Sequence, residues 1–165
     1  MEIPLTKGFT AKISDVNCDR IKGLKFYAEV DRRGKVYARA SINGRLTYLH
    51  VFLMSPPPGL QVDHIDGDGL NCTDENMRFA TNRQNSRNRG PQRNNKSGYK
   101  GVSFRKYSWG MSISSECKRI HKAGFPTAEA AAAAYDEKAI ELFGEFAVTN
   151  AVIRARSLSK NAGEQ

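Results

Sequence analysis

The sequence predicts an α+β fold in two modules, and three observations carry that expectation. Within residues 1–50, short runs alternate apolar and polar side chains between turn residues. After a proline stop at 55–59, a strand–loop–strand–helix pattern occupies 59–89. Three further strand-like runs over 99–125 then lead into a helix-forming run that stops at Gly144. The first module is therefore expected to be β-hairpins plus a small mixed unit. The second is expected to be a three-stranded antiparallel sheet backed by one helix.

Each element has a local reason. Lys25–Asp31 and Lys35–Ile42 are rich in β-formers and flank the turn Arg32-Arg33-Gly34. Asn43-Gly44 supplies the two residues that tolerate positive φ in a tight hairpin and leads into Arg45–Leu49. Leu49–Met54 is a short apolar segment, ended by Ser55-Pro-Pro-Pro-Gly59, whose prolines stop any helix. Gly59–His64 reads as a strand, Ile65–Glu75 as a polar loop and Asn76–Ala80 as a second strand. Thr81-Asn-Arg-Gln84 is a capping box that opens a helix over 82–89.

The run from Arg89 to Ser97 is a linker by composition. Tyr99–Lys106, Trp109–Ser115 and Arg119–Phe125 follow as strands, with turns at Tyr107-Ser108 and Glu116-Cys117-Lys118. Thr127 is the N-cap of a helix over 128–143, Glu129 sits in its first turn, and Gly144 ends it. The small side chains of Ala130–Ala134 allow that helix to approach a sheet closely. Residues 151–165 form a polar tail that is expected to fray.

Composition narrows the function. A chain of 165 residues makes one or two small domains. No apolar run reaches the length of a membrane span, and Met1–Lys7 has no apolar signal core. The three cysteines, Cys18, Cys72 and Cys117, form no CxxC pair. A zinc knuckle or disulfide framework is not expected, and a reducing, intracellular setting is. The net charge is +9, and its placement is informative. No acidic residue lies between Glu75 and Glu116, and that stretch holds nine cations: Arg78, Arg83, Arg87, Arg89, Arg93, Lys96, Lys100, Arg105 and Lys106. A one-signed segment attracts a polyanion such as DNA.

The residues with chemistry are concentrated upstream of that segment. An Asp63-His64 pair closes an apolar run, and Asn76 and Asn85 follow. A carboxylate and an amide oxygen suit a Mg²⁺-like ion, and a neutral imidazole suits a general base. Adjacent residues of a regular strand face opposite ways, so the strand must end or twist here for both to serve one site. Asp66-Gly67-Asp68-Gly69 fails as a calcium loop, because Asn71 stands where the sharp turn needs glycine.

Leu49-His50-Val51-Phe52, Val62-Asp63-His64-Ile65-Asp66-Gly67, Asn71, Glu75-Asn76-Met77-Arg78, Thr81, Gln84-Asn85 and Asn88 together resemble an HNH endonuclease of the homing type. The resemblance covers residues 1–90, with a core motif at 49–88. It implies a ββα-metal unit in which His64 is the general base and Asp63 and Asn85 hold one divalent metal, Mg²⁺ with Mn²⁺ as the alternative. Asn76 would pin the loop and orient His64. The final motif position is Asn85 rather than His, a variant common in homing members. His50 is expected to be either a neighbour of the scissile phosphate or a structural histidine, packed or exposed.

Residues 97–150 resemble a second family, the Apetala-two/ethylene-response-factor DNA-binding domain. The matching residues are Ser97-Gly98-Tyr99-Lys100-Gly101-Val102, Phe104-Arg105, Trp109, Gly124-Phe125, Thr127, Glu129, Ala134-Tyr135-Asp136, Ala139 and Gly144 through Asn150. That likeness implies a sheet that enters the major groove of double-stranded DNA, backed by a helix. Lys100, Ser103, Arg105, Lys106, Trp109, Ser112 and Ser114, with Arg119 or His121, are its expected contacts. Arg83, Arg87, Arg89, Arg93 and Lys96 would add phosphate contacts from the helix and the linker.

The expected layout is a nuclease domain at 1–90, a basic linker at 89–97, a DNA-binding domain at 98–150 and the tail at 151–165. No membrane and no small-molecule cofactor are expected, and the chain would act as a monomer or as a dimer on DNA. The resemblance suggests a mobile element, phage-borne. The competing expectation is a DNA-binding regulator whose nuclease half has decayed.

Overall fold

A computed structural model describes residues 1–92, 94–115 and 118–162, with side chains through residue 158. Arg93, an expected DNA contact, and Glu116 and Cys117, expected turn residues, lie outside the described residues. The chain divides into two compact units, Met1–Ser86 and Arg87–Gln165. No helix among the described residues is long and apolar enough to cross a membrane.

The first unit is built from small sheets that share one core. Strands β1 (Glu2–Pro4) and β2 (Thr10–Ile13) pair antiparallel. A meander follows in β3 (Tyr27–Val30), β4 (Val36–Ile42) and β5 (Arg45–Tyr48). Its second turn is the expected one: Asn43 and Gly44 have φ of 51° and 75°, the double positive φ of a two-residue hairpin. Leu49–Met54 forms a short helix, α1, which stops where Ser55 turns left-handed ahead of the prolines.

Strand β6 (Gln61–His64), a two-residue β7 (Asn71–Cys72) and β8 (Met77–Ala80) come next. β7 runs parallel to β2, and β6 pairs antiparallel with β8. None of these sheets can bury enough apolar surface alone. They are held by a common core that includes Ile13, Phe26, Ala38, Leu49, Val62, Cys72 and Met77. Helix α2 (Asn82–Arg87) opens with the predicted capping box. The Gln84 amide oxygen accepts from the Thr81 N–H at 2.8 Å, and the Thr81 hydroxyl accepts from the Gln84 N–H at 3.3 Å.

The second unit has the expected three-stranded antiparallel sheet, β9 (Val102–Arg105), β10 (Ser108–Ser115) and β11 (Lys118–Phe125), in the order β11-β10-β9. Helix α3 (Ala128–Phe143) backs it and is capped by the Thr127 hydroxyl, which accepts from the Ala130 N–H at 3.1 Å. Val102, Met111 and Ile113 face this helix and pack on Ala131, Ala132, Tyr135 and Ala139. Gly101 is required where it stands. Its φ is +72°, and a β-carbon there would lie 2.3 Å from the Tyr135 ring. Gly101→Ala should therefore destabilise this unit by roughly 2–5 kcal/mol, combining left-handed strain with overpacking. Urea unfolding followed through the Trp109 fluorescence checks this.

The tail expected to fray is instead a second helix, α4 (Asn150–Ala162). Its free N–H groups find acceptors that the local sequence does not reveal. The Asp136 carboxylate, from α3, accepts from the N–H groups of Asn150 at 2.7 Å and Ala151 at 3.2 Å. The Thr149 hydroxyl accepts from the Val152 N–H at 3.2 Å.

Candidate active site and basic sheet face

The Asn76 side chain makes three of the hydrogen bonds that hold the loop between β6 and β7. The Asn76 amide oxygen accepts from the Asp66 N–H at 3.0 Å, and its NH₂ donates to the Asp66 carboxylate at 2.9 Å and to the Asn71 carbonyl at 2.7 Å. Asp66 and Asp68 act as turn residues. Each carboxylate accepts from the backbone N–H two residues on, at 2.8 Å from Asp68 and 3.0 Å from Leu70. β6 ends at His64, where the Gly67 N–H closes a turn onto the His64 carbonyl at 2.9 Å.

His64 faces inward, with 7% of its surface exposed. Its ring stands edge-on to His50, with centroids 4.9 Å apart, and its Nε2 lies 3.7 Å from the Cys72 sulfur. His50 also stacks on Tyr48 at 5.4 Å, so it is the packed histidine of the two alternatives. Burial dominates the protonation of this pocket. It lowers the pKa of His64 against the opposing pull of the Asp66, Asp63 and Asp68 carboxylates. It pushes His50 down to about 3, with His64 adding to the effect, and pushes the Cys72 thiol up to about 12. At neutral pH the two imidazoles and the thiol are uncharged.

That has a consequence for stability. The folded pKa values of both histidines lie below 6.5, their ordinary value. Under more acidic conditions the unfolded chain binds protons that the folded chain refuses. Stability therefore falls as pH drops from 6.5 toward the folded His50 value, and these residues add no pH dependence above 6.5. From pH 7.5 to 4.5 the loss through His50 should be roughly 2–3 kcal/mol. Denaturation midpoints across that range test this, and His50→Phe should flatten the slope.

Asp63 lies on the other side of β6. It is 3% exposed and takes both Nε and Nη2 of Arg78, its cross-strand neighbour, on one carboxylate oxygen, at 3.0 and 2.9 Å. Asn85, on α2, donates to the Gln61 side chain at 2.9 Å. Gln61 and Asp63 are two residues apart on one strand and so share a face. Asp63 and Asn85 thus come to the same side of β6, while His64 projects to the opposite side at the strand's end. A carboxylate and an amide carbonyl are hard oxygen donors and fit a Mg²⁺-like ion. Sequence reasoning missed Arg78 as the partner of Asp63. Only the β6–β8 register brings them opposite each other, and the intervening loop hides it.

In the second unit, strand alternation divides the expected DNA contacts. Ser103, Arg105, Ser112, Ser114, Arg119 and His121 lie on the sheet face opposite α3. A shallow groove there is lined by Ser103, Arg105, Ser112, Arg119 and His121. Arg119 donates to the Ser112 hydroxyl at 2.7 Å. Lys106 is exposed in the β9–β10 turn, and Arg83, Arg89 and Lys96 are exposed as well.

Three assignments change. Lys100 is turned inward, with its ammonium on the carbonyls of Arg87 at 2.6 Å and Val148 at 3.5 Å, and burial brings its pKa down to about 8. It ties segments of the unit together, and its ammonium is engaged by backbone carbonyls. Trp109 is half-buried against Val102, Ala128, Ala131 and Ala132, because strand alternation puts it on the same side of β10 as Met111 and Ile113, the helix side. Arg87 is half-buried, with its guanidinium 4.0 Å from the Phe143 ring centre, which withdraws it from the exposed cations.

The HNH endonuclease family model matches residues 54–87, the stretch from the end of α1 to the end of α2. The chain is 36% identical over 93 residues to Protein 3.8 of Escherichia phage T7, covering 55% of this chain and 76% of that protein. It is 39% identical over 111 residues to the uncharacterized HNH endonuclease L560 of Acanthamoeba polyphaga mimivirus, covering 66% of this chain. Residues 54–87 thus carry an HNH endonuclease family domain. The chain spans 56% of the length of the mimivirus HNH relative, just over half. No solved structure matches it. The matched HNH segment contains Asp63, His64, Asn76 and Asn85 and ends at Arg87.

Proposed function

We propose that this chain is a metal-dependent DNA endonuclease of the homing type, encoded by a phage-borne mobile element. Its first unit would hydrolyse the phosphodiester, and its second would hold the duplex. The observation that carries the reading is the end of β6. There Asp63 and Asn85 share one face and Asn76 fixes the loop that follows, while His64 leaves the opposite face and would reach the same phosphate only past the strand's end.

In this reading His64 is the general base. Its burial keeps the imidazole neutral at pH 7, so its lone pair can take a proton from the attacking water as the water oxygen bonds to phosphorus. One P–O ester bond breaks, and the leaving oxygen ends protonated from solvent. The imidazolium is disfavoured in this pocket, so the proton passes back to water and the base is restored. Asn76 keeps β6 from continuing and so holds His64 at the strand end. Asp63 and Asn85 would hold Mg²⁺, or Mn²⁺. That ion would neutralise phosphate charge and stabilise the leaving oxygen as a Lewis acid. Arg78 adds a fixed cation beside Asp63.

For the second unit we propose an Apetala-two/ethylene-response-factor type of DNA binding. The sheet face bearing Ser103, Arg105, Ser112, Ser114, Arg119 and His121 would enter the major groove, with Lys106, Arg89 and Lys96 on phosphates. The clean separation of this polar face from the apolar face under α3 supports it. Arg105→Ala should weaken binding by roughly 1–3 kcal/mol and relax preference at one base if the residue reads guanine. If it touches phosphate only, the loss is uniform across sequences and the salt slope drops by about one unit. Mobility-shift titrations at several salt concentrations distinguish these outcomes.

The whole reading is tested by incubating supercoiled phage DNA with the protein and Mg²⁺. Nicked or linear product that disappears with excess chelator is expected. Tight binding without cutting at any metal concentration would favour a DNA-binding regulator with a decayed nuclease half.

A further inference from the structure

The pocket behind His64 holds a second donor set, distinct in chemistry from the Asp63 face. His50, His64 and Cys72 each bring one nitrogen or sulfur, and these atoms lie within 4.8 Å of one another. They come from α1, β6 and β7, so the fold and not a local motif assembles them. His50 Nδ1 is buried without a hydrogen-bond partner among the described residues, a polar atom left with nothing to satisfy it. The Cys72 thiol has only weak contacts, at 3.7 Å to His64 Nε2 and 3.8 Å to the Gly69 carbonyl.

We propose that His50, His64 and Cys72 form an inhibitory site for Zn²⁺, which switches the nuclease off by capturing its general base. Two imidazoles and a thiolate are the donors zinc selects, and they are poor donors for Mg²⁺. Three protein ligands leave the fourth tetrahedral position to water. Around a tetrahedral zinc with ordinary bond lengths, such donors stand roughly 3.3–3.6 Å apart, so donors as far apart as 4.8 Å must close by roughly 1.2–1.5 Å on binding.

On binding, the Cys72 S–H bond breaks, its proton goes to water, and a zinc–sulfur bond forms. The two neutral histidines donate lone pairs and lose no proton. His64 can then no longer accept a proton from water. The inhibition rests on His64 being the base of the proposed nuclease, whereas the metal site itself does not.

Co²⁺ is the spectroscopic probe, used on the full-length protein without Mg²⁺. One equivalent should produce a thiolate-to-cobalt charge-transfer band in the near ultraviolet together with the strong visible bands of a tetrahedral ion. A chain carrying both Cys18→Ser and Cys117→Ser should keep the band, and Cys72→Ser should lose it. His50→Gln should shift the visible bands and weaken binding, which keeps the test decisive should Cys72→Ser unfold. Zn²⁺ should displace the cobalt and abolish Mg²⁺-dependent cleavage, and Cys72→Ala should make cleavage resistant to Zn²⁺. Absence of the band in folded wild-type protein, or its survival in Cys72→Ser, overturns the site. A cobalt band in a protein that never cuts DNA would leave the zinc site standing and overturn the nuclease reading, and with it the inhibition.

Discussion

His64→Ala should slow single-turnover DNA cleavage by about 10²-fold or more, the usual scale for a lost general base, while DNA affinity stays within a few-fold of wild type. His64 lies in the first unit, and the groove around Arg105 is built from the second, so binding and chemistry should separate cleanly. The wild-type rate should also fall on the acid side with a midpoint below 6.5, because burial lowers the His64 pKa. The rate should be flat through neutrality, and His64→Ala should lose the acid limb. A limb that survives in the variant would assign it to another group.

The second large effect is at Asp63, and it has two parts. Asp63→Ala removes a proposed metal ligand and also breaks the ion pair with Arg78, whose guanidinium is largely buried against it. Breaking such a pair from one side should cost about 2–4 kcal/mol of stability. The lost electrostatic stabilisation should cost several kcal/mol more in the transition state, on the order of 10²–10³-fold in rate. The double variant Asp63→Ala/Arg78→Ala separates the two. It should regain much of the stability and none of the cleavage. A double variant that cuts at wild-type rate would leave Asp63 a purely structural partner of Arg78.

The elements with local signatures were legible in the sequence. Asn43-Gly44, Thr81 through Gln84, and Thr127 with Gly144 each turn or cap the chain where their chemistry requires it. Alternation in β10 likewise separated Ser112 and Ser114 from Met111 and Ile113. What escaped depends on distant partners. The Asp136 carboxylate turns a polar tail into α4, and the carbonyls of Arg87 and Val148 engage the Lys100 ammonium. Trp109, by contrast, shares the parity of Met111 and Ile113, so alternation along β10 already places it against the helix. At the candidate site, the Asp63-His64 pair and the two asparagines were visible as a pattern. The Asp63–Arg78 ion pair and the His50/His64/Cys72 cluster were not, because each joins residues from different elements through tertiary register.

The central claim, that His64 acts as the base, is most directly tested by chemical rescue. His64→Gly opens a space the size of an imidazole ring at the end of β6. Cleavage of supercoiled DNA in Mg²⁺ would be followed with increasing free imidazole. The account predicts that the inactive variant regains cleavage in proportion to imidazole in its neutral form. Asp63→Ala should show no rescue. Cleavage by His64→Gly at near wild-type rate without imidazole, or a folded, DNA-binding variant that no concentration of imidazole revives, would contradict it.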